Sequence, residues 1–506
     1  MDESERARIR VFLNDPQGRG QRLVSVDAPA DTERGPWGFR VEGRVPEPEA
    51  YEPDTPESLY WQVSSALERG KKLWTERLPS GRWIPGPVLS AYPAAGTDLN
   101  AYYDRKALRF FREVDAKTGQ LVEAGDSTDV VTHEQGHAIL DAVRPDLWDA
   151  PHFEVAAFHE AFGDFAAILV ALAQPSLVEA VLSDTKGDPA RSNLVSRLAE
   201  ELGAAVRDKY GPDAALPGAL RDAVNEFQYV DPKTLPDDAP AKELSAEPHS
   251  FCRVMTGAFW DTLVVLFHSS ALPTPAASLS AAAGSLARHA VAAAETAPLG
   301  ADFFGAVARR IVREARSTSN DAAQAIAEAL YRRRLLSSPD VPDELSPDED
   351  PGVPAPRPDE PVSTAVAQAI AARLPPARDG EILTRRRAGA ANERRLRGRR
   401  RRDLFLHGPE YGPADGAAVE ISDSFTLDFG ETGFLRASRI QGAGPDDEED
   451  ARAFVRHLAR MRRIAETTDA LPDSRPLAYQ RKTHAVVREE DGVRRLRRVW
   501  IAKETS

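Results

Sequence analysis

His133 and His137 stand four residues apart, with Glu134 beside the first, in the run His133-Glu134-Gln135-Gly136-His137. Positions i and i+4 of a helix lie one above the other, so two imidazoles at that spacing converge on one ion. H-E-x-x-H on a helix is a zinc-binding, peptide-hydrolysing pattern. Glu134 lies beside that face. A carboxylate there is not placed as a third in-line ligand, but it reaches a water next to the ion and can take its proton. A catalytic zinc keeps three protein ligands and one open position, so a third ligand is needed. The stretch 155–172, VAAFHEAFGDFAAILVAL, is apolar nearly all round, which predicts a buried helix whose few charges need a reason. Glu160 and Asp164 are those charges, again four apart. Glu160 completes a His-His-Glu set, and Asp164 is placed to accept the other ring N–H of a ligand histidine. The plain alternative is a pair of acids favoured in the first half of a helix by its dipole.

These motifs resemble those of the thermolysin-like zinc peptidases of the gluzincin group. Asp129-Val130-Val131-Thr132-His133-Glu134-Gln135-Gly136-His137-Ala138 is similar to that family's D-V-V-x-H-E-x-x-H-A, and His159-Glu160-Ala161-Phe162-Gly163-Asp164 to its N-E-A-x-x-D. The resemblance covers roughly residues 55–335. It implies a thermolysin-like α+β fold, with a small β-rich N-terminal part and a mainly helical part, and a zinc-dependent endopeptidase acting on protein or peptide substrates. By the same resemblance Asn100-Ala101-Tyr102-Tyr103 is the edge strand that pairs with the substrate backbone, with Asn100 and Ala101 as contacts. Gly187-Asp188-Pro189-Ala190-Arg191-Ser192 is the segment whose Arg191 holds a substrate carbonyl, and Asp129 joins Asp164 in the outer shell. For the family's oxyanion-steadying histidine two candidates stand: His249, or Arg253 if the spacing to Gly257 is kept. Either side chain can donate to an oxyanion. The family's tyrosine beside that oxyanion has no counterpart, since Pro151 and His152 fall there. Its acidic calcium cluster is missing too, because residues 169–173 are apolar.

The elements that would hold these residues are legible in part. A lead-in, residues 1–53, carries short alternating runs at 8–13 and 22–26 that read as strands. Thr55-Pro56 is an N-cap followed by proline at the first helical position, opening a helix to about Arg77. Residues 85–92 and 100–111 read as strands, the latter as the cleft edge where an extended peptide can add. Helical apolar spacing recurs at 194–209, 255–267, 276–294, 301–315 and 320–334. The Pro- and Asp-rich loop 229–248 precedes His249 and is a candidate lid or specificity wall.

The peptidase-like part, 54–336, ends at an acidic, proline-rich linker, 337–362. A separate α+β module, 363–506, follows. It opens with an amphipathic helix at 364–373 and a tract with ten Arg in the 18 positions 385–402. That tract suits an anionic or protein partner, or else pairs with the acidic linker. Strands are expected at 403–407, 418–423 and 424–428, a helix at 446–467, and a hairpin turning at Asp491-Gly492. The module reads as an interaction or substrate-recruiting domain, so a second reading of the whole chain is a zinc-stabilised binding or adaptor protein.

Composition bounds the rest. With 506 residues and a net charge of −14, two or three domains and a large core are available, and nucleic acid is a poor general partner. The one cysteine, Cys252, makes no internal disulfide. No secretory signal or run apolar enough for a membrane span is expected, which favours the cytoplasm, with unconventional export as the other route.

Overall fold

A computed structural model describes residues 7–17, 23–341, 401–423, 443–466 and 482–500, together with the backbone of strands at 346–347, 382–388, 394–400, 424–429, 435–441 and 501–502. The expected helix at 364–373 and most of the expected linker lie outside the described residues. The fold is mixed α+β.

Strands β1 (Arg8–Val11) and β2 (Val24–Asp27) form where the two runs of the lead-in were expected and pair antiparallel, and Ile9 and Val11 pack on Trp61. Strand β3 (Gly38–Val41) runs parallel to β4 (Val88–Tyr92), so the lead-in is built into the main sheet. Helix α1 (Pro56–Arg77) opens as expected: the Thr55 hydroxyl accepts from Ser58 N–H at 3.2 Å, and Pro56 stands in the first turn. Residues 100–111 form two strands, β5 (Ala101–Tyr103) and β6 (Ala107–Phe110), where one was expected. The turn is carried by Asp104, whose carboxylate accepts from the N–H groups of Lys106 and Ala107 at 3.1 and 2.9 Å, with Arg105 at φ 62°. Strands β7 (Arg112–Val114) and β8 (Leu121–Glu123) make a further hairpin.

Helices α2 (Thr128–Val143) and α3 (Phe153–Leu172) pack against each other at the centre, and every residue of α3 is buried. Helix α4 (Pro175–Asp184) follows. The helix expected over 194–209 is shorter. Strand β9 (Arg197–Leu198) comes first, Ala199 turns the chain in the left-handed region at φ 52°, and only then does α5 (Glu200–Tyr210) begin. Strand β10 (Arg221–Asp222) pairs with β9. Helices α6 (Pro248–His268), α7 (Pro275–Thr296), α8 (Phe303–Arg316) and α9 (Asn320–Arg332) complete the helical part. The core between α3 and its neighbours is aromatic, with Phe165 on Phe259 at 4.7 Å and Phe158 on Phe303 at 5.2 Å. Helices α3 and α6 are long and apolar enough to cross a membrane, against the expectation of no such run. Their apolar surface is spent on this core: the apolar stretch of α3 is wholly buried and that of α6 two-thirds buried.

The second part is an eight-stranded sheet: β11 (Ser346–Pro347), β12 (Ile382–Ala388), β13 (Arg394–Phe405), β14 (Ala418–Phe429), β15 (Leu435–Gln441), β16 (Ile464–Ala465), β17 (His484–Arg488) and β18 (Arg494–Arg498). Helix α10 (Pro445–Arg460) covers it. The described parts of the Arg-rich tract, 385–388 and 394–402, are therefore strand. Of its side chains, Arg401 and Arg402 are described, and they pair inside the module with Glu420 at 3.4 Å and Glu448 at 2.9 Å. The Asp-Gly turn joins β17 to β18 as expected, with Gly492 at φ 82°.

The module is not a detached unit. Phe153 and Ala156, from the start of α3, belong to the same apolar cluster as Phe454, Val486 and Leu496. Past β18 the chain returns to the first sheet as β19 (Ile501–Ala502), antiparallel to β5, giving the order β19-β5-β6-β4-β3.

Candidate metal centre and cleft

Helix α2 starts at Ser127, whose hydroxyl caps Val130 N–H. One turn later His133, Glu134 and His137 point into the protein and are buried. Their approach to α3 depends on two glycines. A Cβ on Gly163 would stand 2.7 Å from the His133 ring, and one on Gly136 would stand 2.7 Å from the Ala166 Cβ. Without side chains at those positions, α3 comes close enough for Glu160 and Asp164 to meet the α2 histidines.

His133, His137 and Glu160 each offer one ligand atom, and those atoms lie within 4.8 Å of one another. His133 Nε2 is 3.4 Å from a Glu160 oxygen, and His137 Nε2 is 3.7 Å from the other. Both Nε2 atoms are buried without a hydrogen bond, and the Glu160 carboxylate they face also meets His249 Nε2, 3.1 Å from Oε2. Buried polar atoms are normally satisfied, so two open imidazole nitrogens converging on one carboxylate ask for something to bind them. Two ligands each ~2.1 Å from a tetrahedral ion stand about 3.4 Å apart, so this donor set fits such an ion. Burial pushes the His137 pKa down to about 3, which leaves it neutral, the form that ligates.

Asp164 stands where expected. Its carboxylate is 3.1 Å from His133 Nδ1, accepts Thr256 Oγ1–H at 3.0 Å, and takes both arms of Arg221 at 2.6 and 3.1 Å. Burial alone would raise its pKa, but the Arg221 guanidinium and then His133 overcome it and hold the carboxyl well below its usual range. Arg221 and Thr256 were not expected from sequence. Both arrive from far along the chain, and neither sits in a pattern that marks it.

Between the two oxyanion candidates the geometry favours His249. It lies in the first turn of α6, with Nε2 3.1 Å from Glu160 Oε2 and Nδ1 2.6 Å from Glu247. Glu247 also caps α6 by accepting Ser250 N–H at 2.9 Å, so one carboxylate starts the helix and orients the ring. Burial opposes charge on His249, but Glu160 and Glu247 outweigh it and raise its pKa well above the ordinary value. Arg253, one turn on, points back to the loop 229–248. It donates to the Ala241, Glu243 and Ser250 carbonyls and stacks over Phe227 at 4.4 Å. It fastens that loop and does not face the histidines.

Two further expectations are corrected. Asp129 does not reach the ligand histidines. Its carboxylate accepts from Ser127 Oγ–H, from Val130 N–H at 2.8 Å and from Ala199 N–H at 2.7 Å, tying the start of α2 to the left-handed turn before α5. Arg191 has 62% of its side chain exposed and faces Asp188 at 3.8 Å. The local pattern matched, but the arginine that meets the site is Arg221.

Asn100 and Ala101 are buried, and β5 runs beside α2, where Tyr103 donates its hydroxyl proton to Asp141 at 3.1 Å. The outer side of β5, expected to be open, is taken by β19. The cleft beside Glu160 and His249 is closed on its far side by the module, through His457, His484, Arg498 and Trp500. Within α3, His159 is buried with both ring nitrogens lacking a hydrogen bond, its ring 6.0 Å from that of His137. Burial holds it well below its ordinary pKa and therefore neutral.

In comparison with known proteins, the chain matches no family model and no curated protein in sequence.

Proposed function

We infer that the chain is a thermolysin-like zinc endopeptidase. The observation that carries the reading is the convergence of three buried ligand atoms from His133, His137 and Glu160, the two imidazole nitrogens without a hydrogen bond, with Glu134 beside them on α2 and His249 at their flank. A structural metal site closes its fourth position and has no use for a neighbouring general base. Zinc held by these three residues would supply a Lewis acid and lower the pKa of a nearby water.

The chain's own groups do the remainder. Glu134 takes the proton of the attacking water and returns it to the leaving amine. His249, oriented by Glu247 through Nδ1, donates from Nε2 to the carbonyl oxygen as charge builds there. Asp164 accepts from His133 Nδ1 and so keeps Nε2 directed at the ligand set. Strand β5 aligns the substrate backbone.

The test uses the full chain, wild type and Glu134→Gln, with zinc content and cleavage of oxidised insulin B chain measured together. Both proteins should hold about one zinc, and the variant should lose ~10²–10⁴ in kcat/KM. Zinc-free protein, or a Glu134→Gln variant that cleaves as fast as wild type, would overturn the assignment. One observation favours the second reading, a zinc-stabilised binding protein: the peptide-accepting edge is covered. Two zinc-loaded proteins that cut nothing would support it.

A further inference from the structure

We propose that the module inhibits the peptidase in cis, with the segment 499–502 occupying the β5 edge in place of an extended peptide. This rests on the peptidase reading for what eventually displaces the segment. The occupation itself stands on three observations. First, Ile501 and Ala502 pair antiparallel with Tyr103 and Tyr102, and without them β5 would be the free edge of the sheet. A free edge presents unpaired N–H and C=O groups that either another segment or a substrate can satisfy, not both at once. Second, Trp500 is fully buried, with its ring 4.7 Å from that of Tyr102, so the segment is packed as well as hydrogen-bonded. Third, Trp500, Arg498 and His484 line the same cleft as Glu160 and His249, so the segment closes the approach to the ligand set.

The arrangement suits a reversible block. The module side is firmly held: Arg498 N–H donates to Asp149 at 2.8 Å, Trp148 Nε1–H donates to the Arg498 carbonyl at 3.0 Å, and Val499 N–H donates to the Thr483 carbonyl at 2.9 Å. Beyond these anchors, two residue pairs and the Trp500 indole join the segment to the edge. Residues 499–502 can therefore peel from β5 while both cores stay folded, and a long peptide can take their place. The cost of opening lowers the apparent affinity for every extended ligand by the fraction of time the edge is free.

The experiment reads peptide binding on the Glu134→Gln background, where the ligand is not cut. The full-length zinc-loaded protein is titrated with labelled oxidised insulin B chain by fluorescence anisotropy. Trp500→Ala should tighten binding by about tenfold or more. A second variant, Tyr102→Cys with Ala502→Cys, places two thiols on directly opposed residues, within disulfide reach; the native Cys252 is buried and does not compete. Its oxidised form should bind at least about tenfold more weakly than its reduced form. Equal binding by the oxidised and reduced forms, or unchanged binding by a folded Trp500→Ala, overturns the proposal. If Trp500→Ala tightens binding but no zinc-loaded protein with Glu134 intact cleaves the peptide, the inhibitory strand stands and the peptidase reading falls.

Discussion

The same side chains, histidines facing carboxylates in buried surroundings, occur at two places and end differently. At the seam between body and module each pair is closed. His152 Nδ1 meets Asp450 at 2.9 Å, and His457 Nδ1 meets Asp237 at 2.7 Å, where Arg460 supplies a cation with two contacts at 2.7 Å. At the α2–α3 contact the Nε2 atoms of His133 and His137 are left open, and with a Glu160 oxygen they lie within 4.8 Å of one another. Leaving a buried polar atom unsatisfied costs about 1–3 kcal/mol. A protein that closes such groups at the seam and leaves two facing imidazole nitrogens open at the centre has its centre shaped for a ligand, and its seam for adhesion.

The sharpest way to break this contrast is to open a group the site keeps closed. Arg221→Met strips Asp164 of its buried cation, which should cost about 3–5 kcal/mol of stability. If open atoms alone made the metal centre, a further free carboxylate would tighten zinc binding. The expectation is the opposite, ~10–100-fold weaker zinc binding, because Asp164 no longer holds His133 in place. Calorimetric zinc titration and thermal melts of the same sample read both effects, and tighter binding would sink the positioning role.

A smaller effect separates the two histidine groups directly. His249→Ala should lower kcat by ~10²–10³-fold, the usual loss of an oxyanion donor, with little change in melting temperature. His457→Ala should do the reverse, costing about 1–3 kcal/mol at the seam and leaving any cleavage rate nearly unchanged. Kinetics and melts on the two variants in parallel decide it: a catalytic loss from His457→Ala matching that from His249→Ala would erase the distinction.

What could be read from sequence was what a single helix carries. The pairs His133/His137 and Glu160/Asp164 show themselves because helical spacing puts each pair on one face. The Thr55-Pro56 start and the Asp491-Gly492 turn are likewise local. Arg221 is 57 residues from Asp164, and β19 lies nearly 400 residues beyond β5, so no spacing rule links either to the site. His249 and Arg253 lie four residues apart on α6, so spacing could not separate them; what does is the acceptors each finds, Glu160 and Glu247 for one and loop carbonyls for the other. The turns at Arg105 and Ala199 were missed because both take left-handed conformations without glycine.

Asp15 tests the contrast from outside the site, because it too has an open buried oxygen. Its Oδ1 accepts Gln17 N–H and Glu201 N–H at 3.0 Å each, while Oδ2 has no partner. Burial, and then the charge of Asp129, raises its pKa to about 8, so at neutral pH the open oxygen carries a proton. Asp126 and Glu201 nearby are raised to about 7 and about 9, burial again being the main cause. A carboxyl whose pKa is higher folded than unfolded gives stability that is whole below about pH 4 and drains as pH climbs through the folded value. These three carboxyls should therefore give up their stabilising contribution between about pH 4 and pH 9. Asp15→Asn, which cannot ionise, should melt several degrees above wild type at the alkaline end and close to it at the acid end. A variant that melts below wild type at alkaline pH would mean the ionised carboxylate is wanted there, as it would be if Asp15 held a cation, and open oxygens would then have one meaning throughout the molecule.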